Sequence, residues 1–276
     1  MIGRLTRRVH GRRPNQSSSA NWRLIRGGSL VLRLVSKILS LLYGVFAYAA
    51  FLASLAYLGG FVTNRYTPSS IDSGVGLPAF EALRTNLALL LLFAIQHSGM
   101  ARRSFKRVWT RVVPVHLERS TYLLSTALVL VAMFRYWEAM PEMCWRIDNA
   151  AAIFLLRTVS VVGIGLVLAG GLAFSHADFT GLRQIAYFVR DRAYTPIQFH
   201  VPWVYKLVRH PQMLGTILWL WATPSMSQGR LLFVIFLTLY ILAGIRWEER
   251  DLLLEHGDQY AEYATRVPSL LPFVRW

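Results

Sequence analysis

The chain has 276 residues, of which 54% are hydrophobic and only 16% are charged. A composition this apolar excludes an ordinary soluble domain and predicts a polytopic membrane protein. The formal net charge of +16 does not indicate a nucleic-acid partner, because the basic residues lie between and beside the apolar stretches.

The amino-terminal segment is strongly basic. Residues 1–37 contain 9 Lys and Arg and no acidic residue. This predicts a partly disordered arm that is attracted to the anionic lipid headgroups of the bilayer. Residues 38–276 are predicted to form a single membrane domain.

Uncharged runs predict the membrane-spanning helices. The first, residues 38–64, is far longer than the core of a signal peptide, so it is interpreted as a retained span. Three further apolar stretches follow at residues 85–101, 120–134 and 158–175. The apolar run 213–245 is interrupted by turn residues, which predicts a tight helical hairpin and leaves open whether its tip crosses the membrane. The predicted fold is therefore an all-α polytopic integral membrane protein with four full transmembrane helices and a C-terminal helical hairpin, giving five to six spans.

The distribution of basic residues predicts the orientation. Segments 1–37, 101–119, 175–212 and 246–276 together hold 24 of the 30 Lys and Arg. The positive-inside rule places these segments, and with them both termini, in the cytoplasm. Cys144 is the only cysteine, which excludes an internal disulfide and a cysteine-based metal site, and no metal is predicted.

A polar cluster is predicted at the start and end of the hairpin. Arg209 and His210 precede Pro211, and proline is favoured at the first position of a helix. The free N–H groups of that helix start, together with Arg209, are suited to bind a carboxylate. On the return limb, 6 of the 14 acidic residues fall within residues 248–262. Glu248 and Glu249 adjoin the apolar segment and are the stronger candidates for a functional role.

Two histidines are candidate bases, because histidine titrates near neutrality. His210 belongs to the hairpin cluster. His97 lies with Gln96 near the cytoplasmic end of the second span, where a polar pair is either functional or engaged in interhelical hydrogen bonds.

These residues resemble a superfamily of membrane methyltransferases that includes isoprenylcysteine carboxyl methyltransferase. The shared tail reads Arg-His-Pro, an apolar hairpin, Glu-Glu and Gly-x-x-Tyr-x-x-Tyr. The blocks that narrow the resemblance are Gln96 to Ala101, Glu118 to Tyr122, Phe179 to Gln184 and Trp221 to Pro224. With them the chain resembles bacterial methanethiol S-methyltransferases and the related NnrU-like membrane proteins.

The resemblance implies methyl transfer from S-adenosylmethionine to a small apolar thiol, methanethiol, in a bacterial inner membrane. The residues implied in cofactor binding are Arg209, His210, Pro211, Glu248, Glu249, Arg183 and Gln184. The candidates for catalysis are His97, His210 and Arg209. Gln212 and Met213 depart from the superfamily pattern, in which a tyrosine often follows the proline by two residues.

Three alternatives stay open at this point. The first is a methyltransferase that acts on another acceptor, such as a prenylcysteine carboxylate or a lipid. The second is a sterol-reductase-like oxidoreductase, and the third is a non-enzymatic NnrU-like accessory protein. The sequence does not indicate an oligomeric state.

Overall fold

A computed structural model of the protein describes residues 30–74, 76–197 and 200–272. Its α-helices are α1 (Leu30–Thr63), α2 (Ala79–Ala101), α3 (Arg103–Trp109), α4 (Glu118–Tyr136), α5 (Ala150–Ala173), α6 (His176–Phe179), α7 (Leu182–Val189), α8 (Pro211–Trp221), α9 (Gln228–His256) and α10 (Asp258–Arg266). Two short strands are β1 (Met143–Arg146) and β2 (Ser225–Ser227), and 3₁₀ turns lie at Val115–Leu117 and Trp203–Lys206.

Within the described residues, 5 helical stretches are long and apolar enough to cross a membrane: α1, α2, Val115–Tyr136 with α4, α5 and α9. This confirms the predicted all-α polytopic fold. The helix α8 has only 11 residues, about 17 Å, and is too short to span a hydrocarbon core of about 30 Å. The predicted hairpin therefore has one short limb and one long limb.

The first helix begins before the predicted boundary. It starts at Leu30, so residues 30–37 are helical, and the remainder of the predicted arm lies outside the described residues. Arg33 and Lys37 lie on a face that is less exposed than its neighbours, and Lys37 pairs with Asp191 at 2.5 Å. The helix continues through these charges because they face the protein while apolar side chains face outward.

The tip of the hairpin pairs with the loop between α4 and α5. Strand β2 is antiparallel to β1, with Met226 opposite Trp145, and this small sheet was not predicted. The backbone N–H of Gln228 also donates to the carbonyl of Glu142 at 2.8 Å. The extended segment after α8 therefore continues toward the end of the helical bundle opposite the start of α8.

The largest buried cluster lies near this end of the bundle. The rings of Phe61 and Phe233 each contact the ring of Trp137 at 6.0 Å between centroids. The indole N–H of Trp137 donates to the carbonyl of Ile71 at 3.1 Å. This cluster joins α1, α4 and α9, whereas the polar clusters described below lie at the opposite ends of these helices.

Helices α5 and α8 pack backbone to backbone. A Cβ atom on Gly215 would lie 2.4 Å from the carbonyl oxygen of Gly163, so only glycine permits this approach. Close contact through small residues is a common way for helices to associate in membranes. It fixes the start of α8, with His210 and Gln212, beside the final turns of α5.

Candidate active site

The predicted start of the hairpin helix is confirmed, because α8 begins at Pro211. The two residues before it pair with the carboxyl-terminal tail. The N–H of Arg209 donates to the carbonyl of Pro268 at 2.8 Å, and that of His210 donates to the carbonyl of Ser269 at 3.1 Å. These bonds bring the tail back against the start of α8.

The guanidinium of Arg209 is fully engaged within the protein. Its Nη1 donates to the carbonyls of Ala264 at 2.7 Å and Val267 at 2.9 Å. Its Nε and Nη2 both reach Oε1 of Glu249, at 2.9 and 2.8 Å. The side chain of Arg209 is only 8% exposed, so it holds the tail and Glu249 in place.

Glu249 is the centre of this cluster. Besides Arg209, its Oε1 accepts the hydroxyl of Ser269 at 2.7 Å and lies 3.0 Å from Nε2 of His210. A carboxylate only accepts hydrogen bonds, so the hydrogen at this contact belongs to Nε2 of His210. In the neutral ring, Nδ1 then retains a lone pair.

Glu248 differs from its neighbour. Among the described residues, its one contact with a basic side chain is that from Oε2 to Nδ1 of His210, which is long, at 3.7 Å. Its side chain is 48% exposed, against 26% for Glu249. Successive residues of a helix are rotated by about 100°, so the two carboxylates face different directions. The carboxylate of Glu249 is bound by other residues of the protein, and that of Glu248 is half-exposed.

Two tyrosines of the tail complete the surroundings. The hydroxyl of Tyr263 donates to the carbonyl of Tyr205 at 2.7 Å, and Tyr260 is buried at 4% exposure. Burial raises the pKa of Tyr263 to about 12 and that of Tyr260 further. Both hydroxyls therefore stay protonated near neutral pH.

Arg183 and Gln184, predicted to bind the same cofactor, lie in a second cluster around Asp178. The oxygen Oδ1 of Asp178 accepts from Nε2 of Gln184 at 3.1 Å and from Nη1 of Arg183 at 3.4 Å. The hydroxyl of Tyr194 donates to the same oxygen at 2.7 Å, and Arg119 pairs with Oδ2 at 3.1 Å. These contacts hold α6 and α7 at the start of α4, while Oε1 of Gln184 is buried without a hydrogen-bond partner among the described residues.

His97 lies apart from the hairpin cluster. Its Nδ1 is 2.8 Å from the hydroxyl of Tyr122, and its ring stacks on Phe93 with centroids 5.2 Å apart. It approaches α9 at Tyr240, with ring centroids 6.4 Å apart. Tyr240 and Glu249 are nine residues apart, which at about 100° per residue places them on opposite faces of α9. His97 and Glu249 therefore approach α9 from different sides.

Ser269 and Tyr240 were not predicted as members of these clusters, and Tyr122 was noted only as part of the block Glu118 to Tyr122 that carries the resemblance. Each makes its contact across helices or from the tail. A hydroxyl in a membrane helix is a weak signal by itself, since it equally bonds to its own backbone.

Comparison with known proteins identifies relatives that match most of the chain. The methanethiol S-methyltransferase of Crocosphaera subtropica is 39% identical over 240 residues, which cover 87% of this chain and 94% of that protein. The methanethiol S-methyltransferase of Mycobacterium tuberculosis is 41% identical over 239 residues, covering 87% and 98%. Nurim of Xenopus laevis is 30% identical over 246 residues, covering 83% and 86%. No family model and no solved structure matches the chain.

Proposed function

Because the chain belongs to the methanethiol S-methyltransferase family, we propose that it methylates methanethiol to dimethyl sulfide with S-adenosylmethionine as the methyl donor. The observation that carries this proposal, besides the relatives, is the half-exposed carboxylate of Glu248 beside Glu249, whose Oε1 is bound by Arg209, His210 and Ser269. It is an anionic site next to the membrane, suited to a cationic donor.

The hairpin cluster has the charge that such a donor requires. Arg209 and Glu249 neutralise each other, and His210 is bound to Glu249. The carboxylate of Glu248 then leaves a net negative charge that faces open space. We propose that the carboxylate of Glu248 binds the ammonium group in the methionine part of the donor. Pro211 contributes the start of α8, whose free N–H groups are placed to bind the donor's carboxylate.

Glu248 is better suited to the ammonium than to the sulfonium. S-adenosylmethionine supplies a methyl group from a sulfonium whose charge disappears during transfer. A carboxylate beside the sulfonium would bind the ground state more strongly than the transition state and so would slow the reaction. Paired with the ammonium, Glu248 contributes affinity without that penalty.

His210 is the proposed proton acceptor. Glu249 fixes the hydrogen on Nε2, which leaves Nδ1 with its lone pair directed toward Glu248. A base oriented by a carboxylate is a recurring arrangement in enzymes. Arg209 acts through Glu249 as a positioning residue. The roles of Arg183 and Gln184 in cofactor binding and of His97 in catalysis stay predictions.

The membrane setting suits this chemistry. Methanethiol is small and apolar and dissolves in the bilayer, whereas the donor is polar and enters from water. Transfer between a thiolate and a sulfonium removes both charges, which a dry site favours. The proposed location is the bacterial inner membrane, with both termini and the hairpin cluster in the cytoplasm.

The test is direct. Purified membranes that contain the protein are incubated in a sealed vial with methyl-labelled S-adenosylmethionine and methanethiol. The proposal predicts labelled dimethyl sulfide in the headspace, and none from membranes of cells without the protein. If the donor binds but no label appears, the acceptor is wrong; if the donor does not bind, the methyltransferase assignment fails.

A further inference from the structure

One face of α9 connects the hairpin cluster with the His97 cluster. Tyr240, Gly244 and Glu248 follow one another at intervals of four residues, so they form a row along the helix. Phe233 lies close to this side and is buried, at 2% exposure, and Tyr240 contacts α2 through Ser98 and Phe93. The side of α9 that carries Tyr240 and Gly244 therefore faces α2, whereas Glu248 at its cytoplasmic end is 48% exposed.

The middle of this row is open. A Cβ atom built on Gly244 would meet no atom within 4 Å, although the residue is half-buried. Gly163 and Gly215 are different, because there a Cβ would collide with the facing backbone. Gly244 thus leaves space on the side of α9 that faces α2, without any need for close helix contact.

The two ends of the open space differ in chemistry. Toward the cytoplasm lies the half-exposed carboxylate of Glu248. Tyr240 lies one helical turn from Gly244 in the opposite direction. Its hydroxyl is 2.8 Å from that of Ser98, and its ring centroid is 6.0 Å from that of Phe93. His97 stacks on Phe93 behind it. One end is anionic, and the other is aromatic with its polar groups bonded to one another.

We propose that the space beside Gly244 is the binding site of the methyl acceptor, a small apolar thiol, between the donor at Glu248 and the aromatic wall of Tyr240, Phe93 and His97. This inference rests on the proposed function and adds the location and size limit of the acceptor site. Gly244 lies about 6 Å along the helix from both Tyr240 and Glu248, which suits an acceptor with very few heavy atoms.

The reaction at this place balances without a further reactant. The acceptor's sulfur forms a bond to the methyl carbon, the bond from that carbon to the sulfonium breaks, and its electron pair passes to the donor's sulfur. The thiol proton passes to Nδ1 of His210, which faces Glu248. The aromatic wall keeps water from the reacting atoms.

The site is tested by introducing a side chain at position 244. Gly244→Leu would fill the space, and it also replaces glycine by a better helix former, so the substitution does not weaken α9 through its backbone. We expect at least a 10-fold fall in kcat/KM for methanethiol, with the dissociation constant of S-adenosylmethionine changed by less than 2-fold. Gly244→Ala is expected to have a smaller effect, and the loss is expected to grow from methanethiol to ethanethiol to propanethiol.

The matched control is Gly165→Leu. Gly165 also lies inside a membrane helix, α5, and a Cβ there likewise meets nothing within 4 Å, but the residue is on the exposed side. This variant is expected to keep the kinetics of the unaltered protein. Full turnover in Gly244→Leu, or equal losses in the two variants, would overturn the acceptor site.

A second measurement separates this inference from the proposed function. Partition of dimethyl sulfide from the headspace onto the detergent-solubilised protein is measured without donor. Specific uptake by the unaltered protein and by Gly165→Leu, and its loss in Gly244→Leu, supports the site even if no turnover is observed. Equal uptake by all three proteins contradicts it, whatever the activity assay shows.

Discussion

Two carboxylate clusters lie outside the packed core, and they differ in how completely the protein uses its acidic groups. Around Asp178 a single carboxylate serves two arginines, Gln184 and Tyr194. In the hairpin cluster Glu249 is equally engaged by Arg209, His210 and Ser269, but a second carboxylate stands beside it with one long contact. The first arrangement stabilises a fold, and the second also leaves an anion for a ligand.

The neighbouring residues Glu248 and Glu249 therefore have different roles. Glu249 is needed to hold Arg209 and the tail. Without it, the open carboxylate of Glu248 would have no fixed surroundings. The substitutions below separate the structural partners from the open one, in order of decreasing expected effect.

The largest effect is expected from Arg209→Ala. It removes the cation from a partly buried pair and leaves Glu249 uncompensated, for which a loss of about 3 kcal/mol in the free energy of unfolding is expected. Thermal unfolding in detergent and proteolysis of the tail after residue 266 measure it. The control is Arg266→Ala, because the Arg266–Glu262 pair is exposed, at 72% and 65%, and is worth at most about 0.5 kcal/mol. Equal stability of both variants would contradict the structural role of Arg209.

A smaller effect is expected from Asp178→Asn. Arg119 and Arg183 then face each other without their shared anion, and the free energy of unfolding is expected to fall by about 1 to 2 kcal/mol. If the cluster is structural, the affinity for S-adenosylmethionine stays within 3-fold. A loss of affinity beyond 10-fold would instead support the predicted cofactor role of Arg183 and Gln184.

The smallest effect is expected from Tyr263→Phe. It removes the hydrogen bond to the carbonyl of Tyr205 and leaves the ring in place, so a loss of about 1 kcal/mol is expected. Thermal unfolding measures it, with Tyr66→Phe as the control because Tyr66 is 99% exposed. A greater loss in the control would show that the bond from Tyr263 contributes nothing to the tail.

The sequence predicted the features that depend on local pattern. Uncharged runs identified the long helices, and proline identified the start of α8 at Pro211. Such features follow from composition and helical spacing within one segment.

Features that depend on contacts between distant segments were not predictable. The resemblance predicted that Arg183 and Gln184 bind the cofactor, and this role stays a prediction. No pattern showed that both side chains bond to Asp178. The same holds for the sheet between β1 and β2, whose strands are too short to show a pattern. Hydropathy also placed the start of α1 too late, because Arg33 and Lys37 interrupt the apolar run while facing the protein.

The most direct test of the account is the binding of S-adenosylmethionine and of S-adenosylhomocysteine, which lacks the sulfonium, to the unaltered protein and to Glu248→Gln. Because Glu248 is assigned to the ammonium that both ligands share, both dissociation constants are expected to rise about 10- to 100-fold, the loss of one charge-assisted hydrogen bond. Turnover at saturating donor is expected to change by less than about 3-fold, since such binding is uniform between ground and transition states. Unchanged affinity for both ligands in a folded Glu248→Gln protein would contradict the account.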